Sequence, residues 1–346
     1  MRPDPVELGA YLSSWLGPTT VTSLHQTYPG NSRASWIVQT DEHGGLVVRV
    51  DHPGGPLVPI PLELEYRVYE RLWPTAIPVA EPLFFAEGTR FADGRPHMVR
   101  RLVDGSPQLD GLTGGAGDDP GLRRAVCYEM AEKLALVHTL DWQVAGLDEV
   151  LFVPASAETA LRDEIHEWRR LWAASRTDPF PMLTEATYWL EEGIPPARTR
   201  LGLLKGNNGI GEEIWKDGRI VALSDWELAT IGDPSLDWAF SQGLLTLHDM
   251  EDTLDHYAGH SGFAIDRELL AWAAVWIRVK ASMSTNSGLA GFLDGRDNRL
   301  VRPALGISVV KRTEAWVASV LDRTVTDVGF ELLTARRNPY LDGVDR

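Results

Sequence analysis

Lys205, Asn207, Glu212 and Asp225 fall within 21 residues of one another and combine an ammonium, an amide and two carboxylates in a single stretch. That stretch, LGLLKGNNGIGEEIWKDGRIVALSDWELATIGDPSLD over 201–237, opens on a short apolar run and passes through a loop rich in Gly and Asn. It then reads as two strands broken by the turn Lys216-Asp217-Gly218. The second strand, 219–223, delivers Ser224, Asp225 and Trp226 at its exit. A carboxylate at the end of a buried strand, facing a polar loop, can hold a metal–phosphate unit. The plain structural alternative is that Asp225 caps a turn. A lysine within reach of two carboxylates is also an acid–base set, because burial and neighbouring charge move such groups toward neutrality.

From Ile220 to Asp237 the residues IVALSDWELATIGDPSLD resemble the metal-binding segment of the aminoglycoside phosphotransferase family, most closely its branch related to the N-terminal domains of some acyl-CoA dehydrogenases. The resemblance implies an α+β, two-lobed, protein-kinase-like fold with a small β-rich N-lobe (1–103) and a larger, mostly helical C-lobe (104–346). It implies that Asp225 holds Mg2+ on the phosphates of ATP, and that Gly232-Asp233-Pro234 with Asp237 braces the site. The preceding loop departs from the family. Members read His-Gly-Asp there, the Asp receiving the substrate's hydroxyl proton, with an Asn following as second metal ligand. This chain has Lys205-Gly206-Asn207, with Glu212 in the place of that Asn, so Asp225 and Glu212 are the candidate metal ligands. An asparagine has no carboxylate to accept a proton.

The chain of 346 residues, 44% hydrophobic and 24% charged, has the composition of an ordinary globular protein with room for two lobes. Its formal charge of −16 argues against nucleic acid or an anionic membrane surface as partner, since the summed field repels both. One cysteine, Cys127, allows no internal disulfide and suits a reducing compartment. No signal-peptide core is visible, and the longest apolar run, 269–277, is far short of the roughly 20 residues of a spanning helix. A cytoplasmic protein with a small-molecule substrate is the expectation.

The positioning elements follow from hydrophobic period. A helix is expected over 5–16, then strands over 21–27, 35–40 and 45–51 with a turn at 42–45. The loop 28–33 resembles the family's nucleotide-covering loop through Gly30 and Ser32. Arg49 stands on the third strand where kinases place a phosphate-contacting lysine, and no lysine precedes Lys133. Its planar fork can bind phosphate bidentately. Glu65, in a helix over 61–72, is the partner that the resemblance assigns to Arg49, or else a solvated helix acid. Strands over 81–87 and 96–103 follow, the second carrying Arg100 and Arg101, which could meet an anionic ligand. From 122 onward the pattern is helical, with segments over 157–176, 184–192, 238–247, 251–258, 266–283 and 305–321. His138 has the place of a structural histidine in the family. His256 and His260 sit four apart with no third ligand beside them, so no zinc site is expected.

Three functions remain open. Lys205, Glu212 and Asp225 could perform acid–base chemistry such as elimination, isomerisation or hydrolysis on a frame that has left phosphoryl transfer behind. That reading leads, because the loop residues changed together while the Asp225 segment stayed intact. The cleft could instead serve an ATP- and Mg2+-dependent kinase of a small hydroxylated molecule, since a loose phosphoryl-transfer transition state depends on positioning more than on a strong base. Third, it could hold a ligand without catalysis, as pseudokinases do.

Overall fold

A computed structural model of the chain describes residues 3–27, 32–58, 60–88, 90–109, 119–196, 200–208 and 211–334. Helix α1 (Pro5–Leu16) begins where the Asp4 carboxylate accepts the amides of Val6 and Glu7 at 3.0 and 2.9 Å, and ends at Gly17. It lays Leu8 and Leu12 on one face of an antiparallel sheet. The sheet joins β1 (Val21–Gln26), β2 (Arg33–Thr40), β3 (Gly44–Asp51), β4 (Pro82–Ala86) and β5 (His97–Arg101) in the order β1-β2-β3-β5-β4.

Strand alternation sorts the two faces of this sheet. Leu46, Val48 and Val50 point toward α1 with Trp36 and Val38. Arg49 lies opposite Met98 and Val47 opposite Arg100, so both arginines share the other face. Helix α2 (Leu62–Leu72) carries Leu62, Glu65, Val68, Tyr69 and Leu72 as its buried residues.

The remainder is helical: α3 (Pro120–Thr139), α4 (Ala160–Ala173), α5 (Pro181–Glu192), α6 (Ser235–Phe240), α7 (Gln242–Leu245), α8 (Met250–Ser261), α9 (Arg267–Leu293), α10 (Val301–Ala318) and α11 (Val325–Thr334). Two small ribbons interrupt it, β6 (Gly202–Leu204) with β9 (Thr230–Gly232) and β7 (Ile214–Lys216) with β8 (Arg219–Ala222). Helix α9 is the axis of this part: Trp272 and Trp276 are fully buried, and core residues occur all round it.

Three departures from the sequence expectations have physical causes. Helix α9 runs ten residues past 283, because Ser284 and Asn286 are buried with partners, Asn286 accepting Trp172 Nε1–H at 3.1 Å. The helix expected over 238–247 begins at Ser235 and breaks at Ser241, and α11 lies beyond the expected segments. Gly329 of α11 sits so close to α9 that a Cβ would fall 2.0 Å from the Ala271 carbonyl. Sheet and helices are joined where Arg302 of α10 donates to Gly55 O at 2.9 Å. No helix among the described residues is long and apolar enough to cross a membrane.

Candidate active site

The loop after β6 is held from below by α6. Asp237 Oδ2 and Oδ1 accept the amides of Lys205 and Gly206, each at 2.8 Å, and Oδ2 lies 3.1 Å from His138 Nε2. His138 Nδ1 is 2.8 Å from Tyr257 Oη, so the imidazole is fixed between α6 and α8. Burial opposes ionisation of Asp237, but His138 and the two amides outweigh it and hold the carboxyl below its usual range. Asp233 accepts Arg200 N and Ser235 N at 2.9 Å, fixing the chain before β6. Asp237 thus braces the loop directly, as the sequence leads one to expect, and Asp233 does so one step upstream.

Two residues in the left-handed region shape the cleft floor. Gly206 has φ +78°, and a Cβ there would fall 2.2 Å from the Leu228 carbonyl, so only glycine fits. Asp225, at φ 64° and ψ 60°, adopts the same region with a side chain, a conformation retained where the surroundings enforce it.

That conformation aims Asp225 at two donors. Oδ1 lies 2.5 Å from Arg49 Nη2, and Oδ2 accepts Asn207 Nδ2–H. Burial would raise this carboxyl, but the charges of Arg49 and Lys205 and the two hydrogen bonds prevail and lower it. Arg49 Nε is also 3.1 Å from Glu65 Oε2, whose side chain is completely buried, so the solvated-acid reading of Glu65 does not describe its surroundings. Arg33 forms a second tier, 2.8 Å from Asp51 and in contact with Glu227. Glu227 reaches Arg49 at 3.4 Å and is pushed up to about 7 by burial and by the charge of Asp225, against the pull of both arginines.

Lys205 is placed differently from a substrate-facing acid or base. Its side chain is completely buried, 3.1 Å from Glu213 Oε1, and its ammonium donates to the Asn207 carbonyl. Glu213, also completely buried, is pushed up to about 7 by burial despite Lys205. Glu212 is half-buried, its carboxyl raised first by burial and then by the charge of Asp225. The structure therefore gathers Lys205, Asn207, Glu212, Asp225, Arg49 and Glu65 at one cleft.

Gly30 lies outside the described residues; Ser32 is buried, its Oγ accepting Leu57 N at 3.2 Å. Arg101 is engaged by Glu81 at 3.3 Å and by the His43 carbonyl at 2.6 Å. Arg100 sits 5.4 Å over the Tyr69 ring, and Arg100 Nε and Tyr69 Oη are buried without hydrogen-bond partners among the described residues. Sequence reasoning missed Arg33, Glu213 and Glu227. Glu227 follows Asp225 by two residues at the same strand exit, which was a usable signal.

The donor set suits a hard divalent cation. It is all oxygen, and oxygens of Glu65, Asp225 and Glu227 lie within 4.8 Å of one another. The raised carboxyls of Glu65, Glu212 and Glu227 beside Asp225 are what a cation would return to their ionised form. The guanidinium groups of Arg49 and Arg33 supply that positive charge in this conformation.

Residues 26–272 match the phosphotransferase enzyme family. Acyl-CoA dehydrogenase family member 11 of Gallus gallus is 28% identical over 228 residues, 65% of this chain but 28% of that protein, so the chain spans under a third of this relative's length. Choline kinase LicA from Streptococcus pneumoniae superposes with a TM-score of 0.63 at 17% identity, covering 91% of this chain and 99% of that one. A thermostable mutant of aminoglycoside phosphotransferase APH(4)-Ia, in ternary complex with ADP and hygromycin B, superposes with a TM-score of 0.57 at 19% identity, covering 90% of this chain and 98% of that one. These likenesses establish the two-lobed, kinase-like α+β fold.

Proposed function

Because the chain belongs to the phosphotransferase enzyme family, we propose that its cleft binds a nucleotide with Mg2+ and transfers phosphate to a small hydroxylated molecule, slowly for want of the proton acceptor that Asn207 replaces. The observation that carries this reading is Arg49 bridging Glu65 at 3.1 Å and Asp225 at 2.5 Å, a phosphate-binding cation and a metal-binding anion preassembled across the cleft. Magnesium with the nucleotide would supply the transferable phosphoryl group and offset its charge, with Asp225 and Glu212 as metal ligands and Arg49 on phosphate. The carboxyls gathered around Arg49 and Arg33 outnumber the arginines, so a nucleotide without a divalent cation meets a repulsive field. Asn207 can orient a substrate hydroxyl through its amide. Lys205 acts through Asn207, whose carbonyl it anchors.

A second reading, acid–base chemistry without phosphoryl transfer, is supported by Glu227 and Glu213 being pushed up to about 7. Calorimetry with ATP, with and without Mg2+, separates the two. Mg2+-dependent heat is expected, and ligand at tenfold excess over Kd raises stability by about 1.4 kcal/mol. No heat and no thermal shift would remove phosphoryl transfer and leave the acid–base reading.

A further inference from the structure

On the surface formed by α3 and α8, remote in sequence from the cleft loop, Glu132, His256 and His260 bring one carboxylate oxygen and two imidazole nitrogens within 4.8 Å of one another. We propose that this cluster is a zinc site that ties α3 to α8. The third ligand missing beside the histidine pair in the sequence is Glu132, 124 residues from His256 and delivered by packing of the two helices.

The detail of each ligand favours metal. His256 and His260 are four apart on one helix, so both rings leave the same face. His260 Nδ1 is 2.9 Å from the His256 carbonyl, which can only accept, so Nδ1 carries the proton and Nε2 keeps its lone pair. A metal-bound histidine is commonly oriented by such a bond from its other nitrogen. His256 stacks flat on Tyr128 of α3, with centroids 3.7 Å apart and planes at 8°, which limits its rotation. Its Nε2 is 3.3 Å from Glu132 Oε1, close to the roughly 3.4 Å between two ligands on a tetrahedral zinc with bonds near 2.0–2.1 Å. Zinc would replace the hydrogen bond between these atoms, and its proton leaves His256 Nε2 for Nδ1. Arg219 approaches Glu132 through the other oxygen, Oε2, at 3.5 Å, leaving Oε1 available.

Two imidazoles and one carboxylate select zinc or a neighbouring transition ion over Mg2+ or Ca2+, and three protein ligands leave a fourth position for water. Helix α3 also carries His138 and α8 carries Tyr257, the pair behind Asp237, so the ion would clamp the two helices that support the cleft loop.

The test is titration of the chelator-treated full chain with zinc sulfate, read by calorimetry and melting temperature, and with Co2+, read by visible absorption. One zinc per chain, a raised melting temperature and intense tetrahedral Co2+ bands are expected. His260→Ala and Glu132→Gln, both at accessible positions, should each bind zinc at least about tenfold more weakly, while Asp225→Asn in the cleft should bind it unchanged. Absence of a zinc effect in the wild type, equal affinity in His260→Ala and Glu132→Gln, or loss of the effect in Asp225→Asn would each overturn the proposal.

Discussion

Arg49 Nη2 rests 2.5 Å from Asp225 Oδ1, so a guanidinium suited to phosphate and a carboxylate suited to a divalent cation neutralise each other, and the proposed binding of nucleotide with Mg2+ would part them. Binding must exchange this ion pair for two new ones, and Asp225→Asn separates the two halves of the exchange. The variant frees Arg49 for phosphate but removes a metal ligand. Nucleotide binding without Mg2+ is expected to be retained or strengthened, while the gain on adding Mg2+ falls by at least about tenfold. Calorimetry with and without Mg2+ measures both, and an undiminished Mg2+ gain would exclude Asp225 as metal ligand.

Lys205 and Glu213 form a completely buried pair, and removing Lys205 forces Glu213, already raised to about 7, either to take up a proton or to stay as a buried charge without its partner. Lys205→Met is expected to cost about 3–5 kcal/mol in urea unfolding, and Lys205→Met combined with Glu213→Leu should recover most of it. A cost below about 1 kcal/mol, the level of an exposed pair, would return Lys205 to the chemistry.

Glu227 gives the pH dependence a sign. Its folded pKa is raised, to about 7, chiefly by burial and by Asp225, so the protonated form favours folding. That contribution is complete below the unfolded value and is lost as pH rises through about 7. Glu227→Gln keeps hydrogen bonding to the arginines without the titration. Its stability relative to wild type should therefore improve between pH 5 and 8 in parallel urea melts, and parallel profiles would show that Glu227 does not titrate there.

How far the sequence reveals this molecule depends on whether the determinants are local. Helix α1 follows from its amphipathic spacing and the Gly17-Pro18 stop, and β1 to β5 follow from period-two alternation. Asp225 was legible because a strand exit is a local signal. The partners of the cleft were not, because they are fixed by packing over long separations: Arg33 meets Glu227 across 194 residues. A single residue of register also mattered. Ionic pairing with Lys205 falls to the buried Glu213, while Glu212 stays half-exposed beside Asp225. Helix α9 was read short because its last ten residues, rich in Ser and Gly, lack an apolar period and are buried by partners elsewhere.

Asn207→Asp distinguishes a weakened phosphotransferase from a cleft turned to other chemistry. In the wild type the Asn207 amide donates to Asp225 Oδ2, so a carboxylate at 207 replaces a donor with a like charge beside Asp225, with Glu212 also within electrostatic reach. Without a divalent cation the variant should melt below wild type. With Mg2+ the repulsion is relieved, so its melting temperature should become more Mg2+-dependent than that of the wild type. The same carboxylate restores a proton acceptor in the loop, and general-base assistance is worth roughly 10²–10⁴-fold when positioned. Nucleotide hydrolysis or transfer by Asn207→Asp is therefore expected to exceed wild type by at least about tenfold with Mg2+ present. An Mg2+ response in melting without any gain in turnover would mean that the cleft binds the metal but that a missing base is not what limits it. Absence of both would exclude metal at Asp225 and leave acid–base chemistry by Glu212 and Glu227 as the function to pursue.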